Sequence, residues 1–158
     1  MRDGMTVRVS TELEASVDHV WERLLQKRTF LYLIRGWLAI EQTQSWPDTL
    51  FVQGTSFVMK IRLFGLGPLS SHEVRVVLVD ESAREIATDE SSRLVRTWKH
   101  CMRVEALPGN RSQYTDRVAI SAGLLTPGVW LFASLFYRAR QQRWKRLIAE
   151  FESENPNV

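Results

Sequence analysis

Six polar or aromatic side chains stand where strand alternation otherwise leaves an apolar face. His72, Glu90, Trp98, His100, Tyr114 and Asp116 share their parity with Val74, Val76, Ile86, Met102, Val118 and Ile120. Imidazoles beside carboxylates on an apolar wall are the ingredients of acid–base chemistry, because histidine exchanges protons near neutral pH and a carboxylate orients it. The same groups also suit a structural hydrogen-bond network, or polar anchors for a ligand in a greasy pocket. The residues alone leave these three readings open. His72, His100 and Asp116 are of zinc-binding type, but they lie on different strands and no short ligand-spacing motif joins them, so no metal and no cofactor is expected.

A second feature lies on the last predicted helix. At 3.6 residues per turn, Val129, Phe136, Tyr137, Trp144, Leu147, Ile148 and Phe151 fall within about 60° of Ala133, and Arg140 falls near the middle of this stripe. Arg138, Lys145 and Arg146 point away. A guanidinium facing a core must be paired or must contact a ligand, because unpaired burial is costly. Arg140 is therefore expected to face inward and to pair with Asp116 or Glu90; the alternative is that it snorkels to solvent along its stem. His100, Asp116 and Arg140 are the candidate catalytic groups.

Other chemistries find little support. Ser70 and Ser71 precede His72 without any nucleophile-elbow motif. Gly65-Leu66-Gly67 leads into Pro68 and a strand, so it is a turn and not a phosphate loop. The single cysteine, Cys101, falls on the outward parity, can form no internal disulfide and suits a reducing, cytoplasmic setting. The N-terminus carries no long apolar run, so no secretory signal is expected.

The elements that must position these groups read as follows. Residues 6–14 alternate as a strand, and Ser16 caps a helix carrying Val17, Val20, Trp21, Leu24 and Leu25 on one face. A short helix over 30–35 ends near Gly36. Strands are expected over 38–42, 56–64, 70–80, 84–90, 96–107 and 113–122. On 70–80, His72, Val74, Val76 and Leu78 should share a face. Trp46-Pro47-Asp48, Gly65-Leu66-Gly67-Pro68 and Pro108-Gly109-Asn110 mark turns. A long helix spans 127–152 with proline in its first turn, and 153–158 reads as a frayed tail. Segregated helices and hairpin-length connections argue an α+β chain with an antiparallel sheet of six or seven strands. The 158 residues fit one domain, large enough to bury a core without disulfides or metals.

The formal charge of +3 is modest. The densest basic stretch lies late in the last helix, where cations complement the macrodipole, so no nucleic-acid partner is expected. Residues 118–137 carry no charge, but Gly123, Pro127 and Gly128 interrupt them; they read as strand, turn and helix start and not as a membrane span. Trp130, Leu131, Phe132, Leu135 and Phe136 make the start of that helix apolar on all sides. Cover by the segment around Trp37 and Leu38, a homodimer contact and a peripheral membrane contact all fit this pattern.

Several short stretches are familiar: Val20-Trp21, Gly54-Thr55-Ser56-Phe57, Ser71-His72-Glu73-Val74, Arg96-Thr97-Trp98-Lys99-His100, Tyr114-Thr115-Asp116-Arg117-Val118, and Phe136 through Trp144. With the order of elements, they resemble the superfamily (SRPBCC) of START lipid-transfer domains, the birch-pollen-allergen fold and aromatic polyketide cyclases. The resemblance spans nearly the whole chain and brings no catalytic residue set onto it. It implies a helix-grip fold, with the sheet curled round the last helix to leave a cavity. Phe57, Met59, His72, Trp98, His100, Met102, Tyr114, Asp116, Phe136, Tyr137 and Arg140 are then the expected ligand contacts. The expected function is binding or transport of a small hydrophobic molecule, lipid-like or aromatic. The alternative is a cofactor-independent cyclase or dehydratase. Fold alone licenses neither.

Overall fold

The computed structural model describes residues 4–42 and 45–154. Strand β1 (Met5–Leu13) leads into helices α1 (Val17–Leu24) and α2 (Lys27–Ile34), followed by strands β2 (Leu38–Gln42), β3 (Ser56–Leu63), β4 (Ser70–Asp80), β5 (Glu85–Ser92), β6 (Thr97–Leu107) and β7 (Arg111–Ser121). A 3-10 turn (Gly123–Leu125) then opens helix α3 (Thr126–Glu154). The sheet has seven strands, all antiparallel, in the order β1-β7-β6-β5-β4-β3-β2. Helices α1 and α2 carry the chain from one edge strand to the other, and the remaining strands meander back. The sheet curls round α3, giving the helix-grip architecture. Most of the expected tail, 155–158, lies outside the described residues.

Local chemistry explains the boundaries. The Ser16 hydroxyl accepts the His19 N–H at 3.2 Å and starts α1. Helix α2 starts at Lys27, three residues before its apolar signal, because its first turn carries Arg28 and Thr29 instead of apolar residues. It stops at Gly36, whose φ of +83° suits glycine; a Cβ there would also stand 3.3 Å from the Arg143 guanidinium. Thr126 fastens the start of α3, donating to the Gly123 carbonyl at 2.7 Å and accepting the Ala122 N–H at 2.9 Å.

One expectation needs correction. The register between β4 and β5 shifts between Val76 and Leu78, so the inward parity passes from Val76 to Val79. Val79 stands opposite the buried Ile86 and packs on the core, whereas Leu78 stands opposite Ala87. The extra residue of a β-bulge flips every later side chain to the other face. Strand β7 also starts earlier than alternation suggested, at Arg111, and buries Ser112.

The core forms round Trp21, Leu24, Val76, Ile86, Met102, Val104, Tyr114 and Trp144. A second cluster joins Val7, Val118, Ile120, Ala133 and Phe136 where α3 crosses β1 and β7. Ile86 is fully buried at the centre of the first cluster. Ile86→Ala should lower the unfolding free energy by about 2–5 kcal/mol in urea titration, whereas Leu135→Ser, at a half-exposed site, should change it by no more than about 0.5 kcal/mol.

Candidate functional site

Between α3 and the concave face of the sheet lies a cavity of about 490 Å³. This is within the range of small-molecule sites. Phe57, Met59 and Ile61 of β3, Val74 of β4, Trp98 and Met102 of β6, and Phe132, Phe136 and Tyr137 of α3 supply its apolar wall. Phe30 and Ile34 of α2, with Phe51, close the inner end. Phe30 meets Phe51 and Phe57 edge to face, each at 6.2 Å between ring centres, which fixes that end.

The charged and titratable part of the wall is made by His72, Glu90, His100 and Arg140, with the Ser70 and Ser92 hydroxyls also on the lining. The sheet register explains how they meet. His72 stands opposite Ser92, Glu90 opposite Trp98, and Asp116 opposite Met102. Glu90 is thus diagonal to both His72 and His100, and His100 is diagonal to Asp116, a spacing that long side chains can bridge on one face. His72 Nε2 lies 2.8 Å from Glu90 Oε2, and Thr88 donates to Glu90 Oε1 at 2.7 Å. His100 places Nε2 2.7 Å from Asp116 Oδ1 and Nδ1 3.8 Å from Glu90 Oε1. A carboxylate therefore faces each of its ring nitrogens.

Asp116 and Tyr114 are fully buried. Tyr114 donates to Asp116 Oδ1 at 2.8 Å and accepts from Arg140 Nη2 at 3.1 Å. Arg140 faces inward, with Nε 3.9 Å from Asp116 Oδ2, Nη2 3.3 Å from the Met102 sulfur, and its guanidinium 5.8 Å from the centre of the Tyr137 ring. Of the two expected partners, the ion pair forms with Asp116, while Glu90 is taken by the histidines and Thr88. The Arg140 Nε is buried with no hydrogen-bond partner among the described residues.

Nine of the eleven expected contacts border the cavity: Phe57, Met59, His72, Trp98, His100, Met102, Phe136, Tyr137 and Arg140. Tyr114 and Asp116 do not. They lie behind the wall, because His100 and Arg140 reach over them from the neighbouring strand and helix. Two network members were not expected. Thr88 is buried on β5 and holds Glu90. Gln141 is buried on α3 and donates to Asp116 Oδ2 at 3.3 Å and to the Val9 carbonyl at 2.6 Å. It sits about 80° from Ala133 on the helix, just outside a 60° stripe; the partnership of an amide with a buried carboxylate was the signal available. His72 and Asp116 stand on opposite sides of Glu90 and His100, so the three candidate ligands do not converge, and no group of three metal-binding side chains occurs among the described residues. Cys101 is on the outward face, where burial and then Glu85 push its thiol up to about 11.

The electrostatics follow from these contacts. Burial opposes charge on Glu90, but hydrogen bonds and charge from His100 and His72 win and hold its carboxyl well below the usual range. Asp116 is likewise pulled down against burial, by Arg140 and His100. Burial lowers His100, yet its bonds to Asp116 and Glu90 win and raise it above its ordinary value of 6.5. Burial above all raises the Tyr114 and Tyr137 phenols, which stay protonated; Tyr114 donates to Asp116, and Tyr137 accepts from the Trp98 indole at 3.3 Å.

This chain of charges makes stability depend on pH. The stabilisation from His100 is complete below 6.5 and is lost as pH rises through its higher folded value. That from Glu90 and Asp116 is complete above 4.5 and 3.8 and is lost as pH falls through their lower folded values. The urea midpoint should therefore be highest between about 4.5 and 6.5 and decline as the pH rises above that window, and His100→Gln should flatten the alkaline decline. Separately, Arg140→Met should destabilise by about 3–5 kcal/mol by stranding Asp116, and Arg140→Met combined with Asp116→Asn should cost less than the sum of the single changes.

The start of α3 is partly covered. Trp37 packs on Phe132 and Phe136 at 5.9 and 6.0 Å, while Leu131 and Leu135 remain about half exposed. Arg138, Lys145 and Arg146 point to solvent. No helix among the described residues is long and apolar enough to cross a membrane.

Solved structures share this architecture. The chain is 18% identical to the Zhui aromatase/cyclase from Streptomyces sp. R1128, with a TM-score of 0.71 and 98% of each chain covered. It is 16% identical to norcoclaurine synthase from Thalictrum flavum, solved with dopamine and hydroxybenzaldehyde, with a TM-score of 0.67, 93% of this chain and 87% of that one. A START superfamily protein from Mycobacterium smegmatis is 11% identical, with a TM-score of 0.69, 92% of this chain and 98% of that one. These likenesses place the chain in the START/Bet v 1-like fold and speak for fold alone. No curated protein matches it in sequence. The pattern of one family, described as "Domain of unknown function (DUF8410)", does match, over residues 11–151, and the chain belongs to that family.

Proposed function

We propose that this protein binds or carries a small hydrophobic molecule, lipid-like or aromatic, in the cavity between α3 and the sheet. The observation that carries this reading is the cavity of about 490 Å³, apolar over most of its wall with its polar groups gathered in one patch. Such a site takes a ligand with a mainly apolar body and a polar atom directed at His72, Glu90, His100 or Arg140, since apolar burial supplies affinity and a few polar groups fix orientation. The similar folds include an aromatase/cyclase and a synthase solved with aromatic compounds, which is compatible with a flat or ring-forming guest.

A second reading is a cofactor-independent cyclase or dehydratase acting on a polyketide-like substrate. The observation favouring it is the run of Glu90, His100 and Asp116 with Arg140 beside it. His100, on the cavity wall with a carboxylate facing each ring nitrogen, would exchange the proton with a guest, and Glu90, held too low to be an effective base, would orient the ring. Arg140 offers positive charge to an enolate, and Asp116 holds His100 in place.

Filling the cavity separates binding from its absence. Val129→Trp, on the lining face of α3, should weaken an apolar fluorescent probe such as N-phenyl-1-naphthylamine at least about ten-fold through steric exclusion, with unfolding cooperativity preserved. Native mass spectrometry of the gently purified protein should show a bound apolar molecule that this variant lacks. Equal probe affinity in the two proteins would remove the binding reading. For the enzyme reading, Glu90→Gln, His100→Gln and Arg140→Met should each abolish turnover of a poly-β-keto substrate while Glu90→Gln still binds the probe; turnover surviving in all three would eliminate it.

A further inference from the structure

The cavity opens between three loops: the β3–β4 turn, the β5–β6 turn, and the 3-10 turn with the first turns of α3. Leu66 and Pro68, Leu94 and Val95, and Leu125 and Val129 border the opening. The loops carry aliphatic side chains into solvent: Leu66 is 74% exposed, Leu94 64%, and Leu124, at 101%, touches nothing. Phe64, beside Leu66, is also more than half exposed. Clustered apolar exposure of this kind marks a contact surface.

The charges on these loops are one-sided. Residues 62–70, 91–97 and 122–137 contain no aspartate or glutamate, whereas Arg62, Arg93 and Arg96 stand among them. Arg93 and Arg96 flank Leu94 and are exposed. Arg62 donates to the Gly67 carbonyl at 2.8 Å and braces the turn that presents Leu66. The exposed bases late in α3, Arg138, Lys145 and Arg146, lie at least about 18 Å along the helix from its start and belong to a different surface.

We propose that this rim docks the cavity mouth on an anionic lipid surface, with the leucines entering the acyl boundary and the arginines meeting the headgroups. Aliphatic side chains ringed by cations suit the membrane interface, where apolar insertion and attraction to anionic lipid act together. A second copy fits less well. A two-fold contact would bring Arg62, Arg93 and Arg96 against the same residues of the partner, with no rim carboxylate to neutralise them. The surface extends the ligand-binding reading, since it would let an apolar guest pass between bilayer and cavity without crossing water, but it stands on the rim alone.

Vesicle sedimentation tests it. At low salt the protein should pellet with phosphatidylcholine vesicles containing about 30% phosphatidylserine, stay in the supernatant with phosphatidylcholine alone, and be largely released at about 0.5 M salt. Leu124→Asp, which does not line the cavity and lies wholly in solvent, should reduce the partition about ten-fold. Arg93→Glu with Arg96→Glu should erase the preference for anionic vesicles. Val77→Asp, half exposed at the β4 bulge, should leave the partition unchanged. Probe binding to the cavity, measured without vesicles, should be the same in all these variants, so loss of docking and loss of ligand binding read out separately. Complete recovery in the supernatant with anionic vesicles would overturn the proposal. So would an equal loss from Val77→Asp, or a concentration-dependent dimer abolished by the Leu124 change.

Discussion

The arrangement depends on one constraint: a guanidinium sits inside. Arg140 is almost wholly buried on the face of α3 that also carries Ala133, Phe136, Tyr137 and Trp144. A charge in that position is tolerable only if the sheet opposite supplies a counter-charge at the right height. Asp116 does so, and its place on β7 is set by the β6–β7 register, which puts it opposite Met102, the residue whose sulfur Arg140 also touches. A slip of one residue would turn Asp116 to the outer face and leave Arg140 stranded. The pair therefore fixes both the register of β7 and the height of α3 against it. Gln141 adds a tie to β1 through the Val9 carbonyl, so three elements are locked together around one carboxylate.

From Asp116 the polar chain runs toward the cavity through His100 and Glu90 to His72. Each link is short or well placed, and each carboxylate is shared. This division gives the wall two roles. The Asp116 end is out of contact with the cavity and serves packing, whereas the Glu90 end borders the space that a guest would occupy. The contrast with the rest of the lining is sharp, because Phe57, Met59, Val74 and Phe136 offer a guest nothing but apolar surface. Affinity would come from that surface and orientation from Glu90 and its histidines.

Much of this was legible in the sequence because period-two alternation is insensitive to errors of a residue or two at strand ends. His72, Glu90, His100 and Asp116 share a face as the parity implies, and the helical projection puts Arg140 among aromatics facing them. The misses have separate physical causes. The β4 bulge replaces Leu78 by Val79 on the inner face, since an inserted residue leaves no mark in a run of Val-Val-Leu-Val, where every side chain is apolar. Gln141 escaped because a helix gripped by a curled sheet buries more than the narrow stripe by which it was read. Tyr114 and Asp116 have inward parity, but parity cannot say whether a longer neighbour covers an inward residue, and His100 and Arg140 do.

The cavity mouth was the least legible part, and the reason bears on function. Gly65, Leu66, Gly67 and Pro68 read simply as a turn, since glycine and proline dominate the pattern whatever the leucine between them does. Only the fold brings that turn beside Leu94 and Leu125, residues about 30 and 60 positions further along the chain, where no local pattern links them. An isolated exposed leucine needs no explanation, whereas leucines from three separate loops around one opening do. The deep network resists change because each of its charges is needed by another, but the leucines at the tips of the rim loops are mostly in solvent. Of Leu124, Leu66 and Leu94, Leu124 makes no packing contact at all and the others make few. Side chains whose removal would cost the fold so little contribute little to stability, so their clustering bears on contacts at the mouth and not on the core.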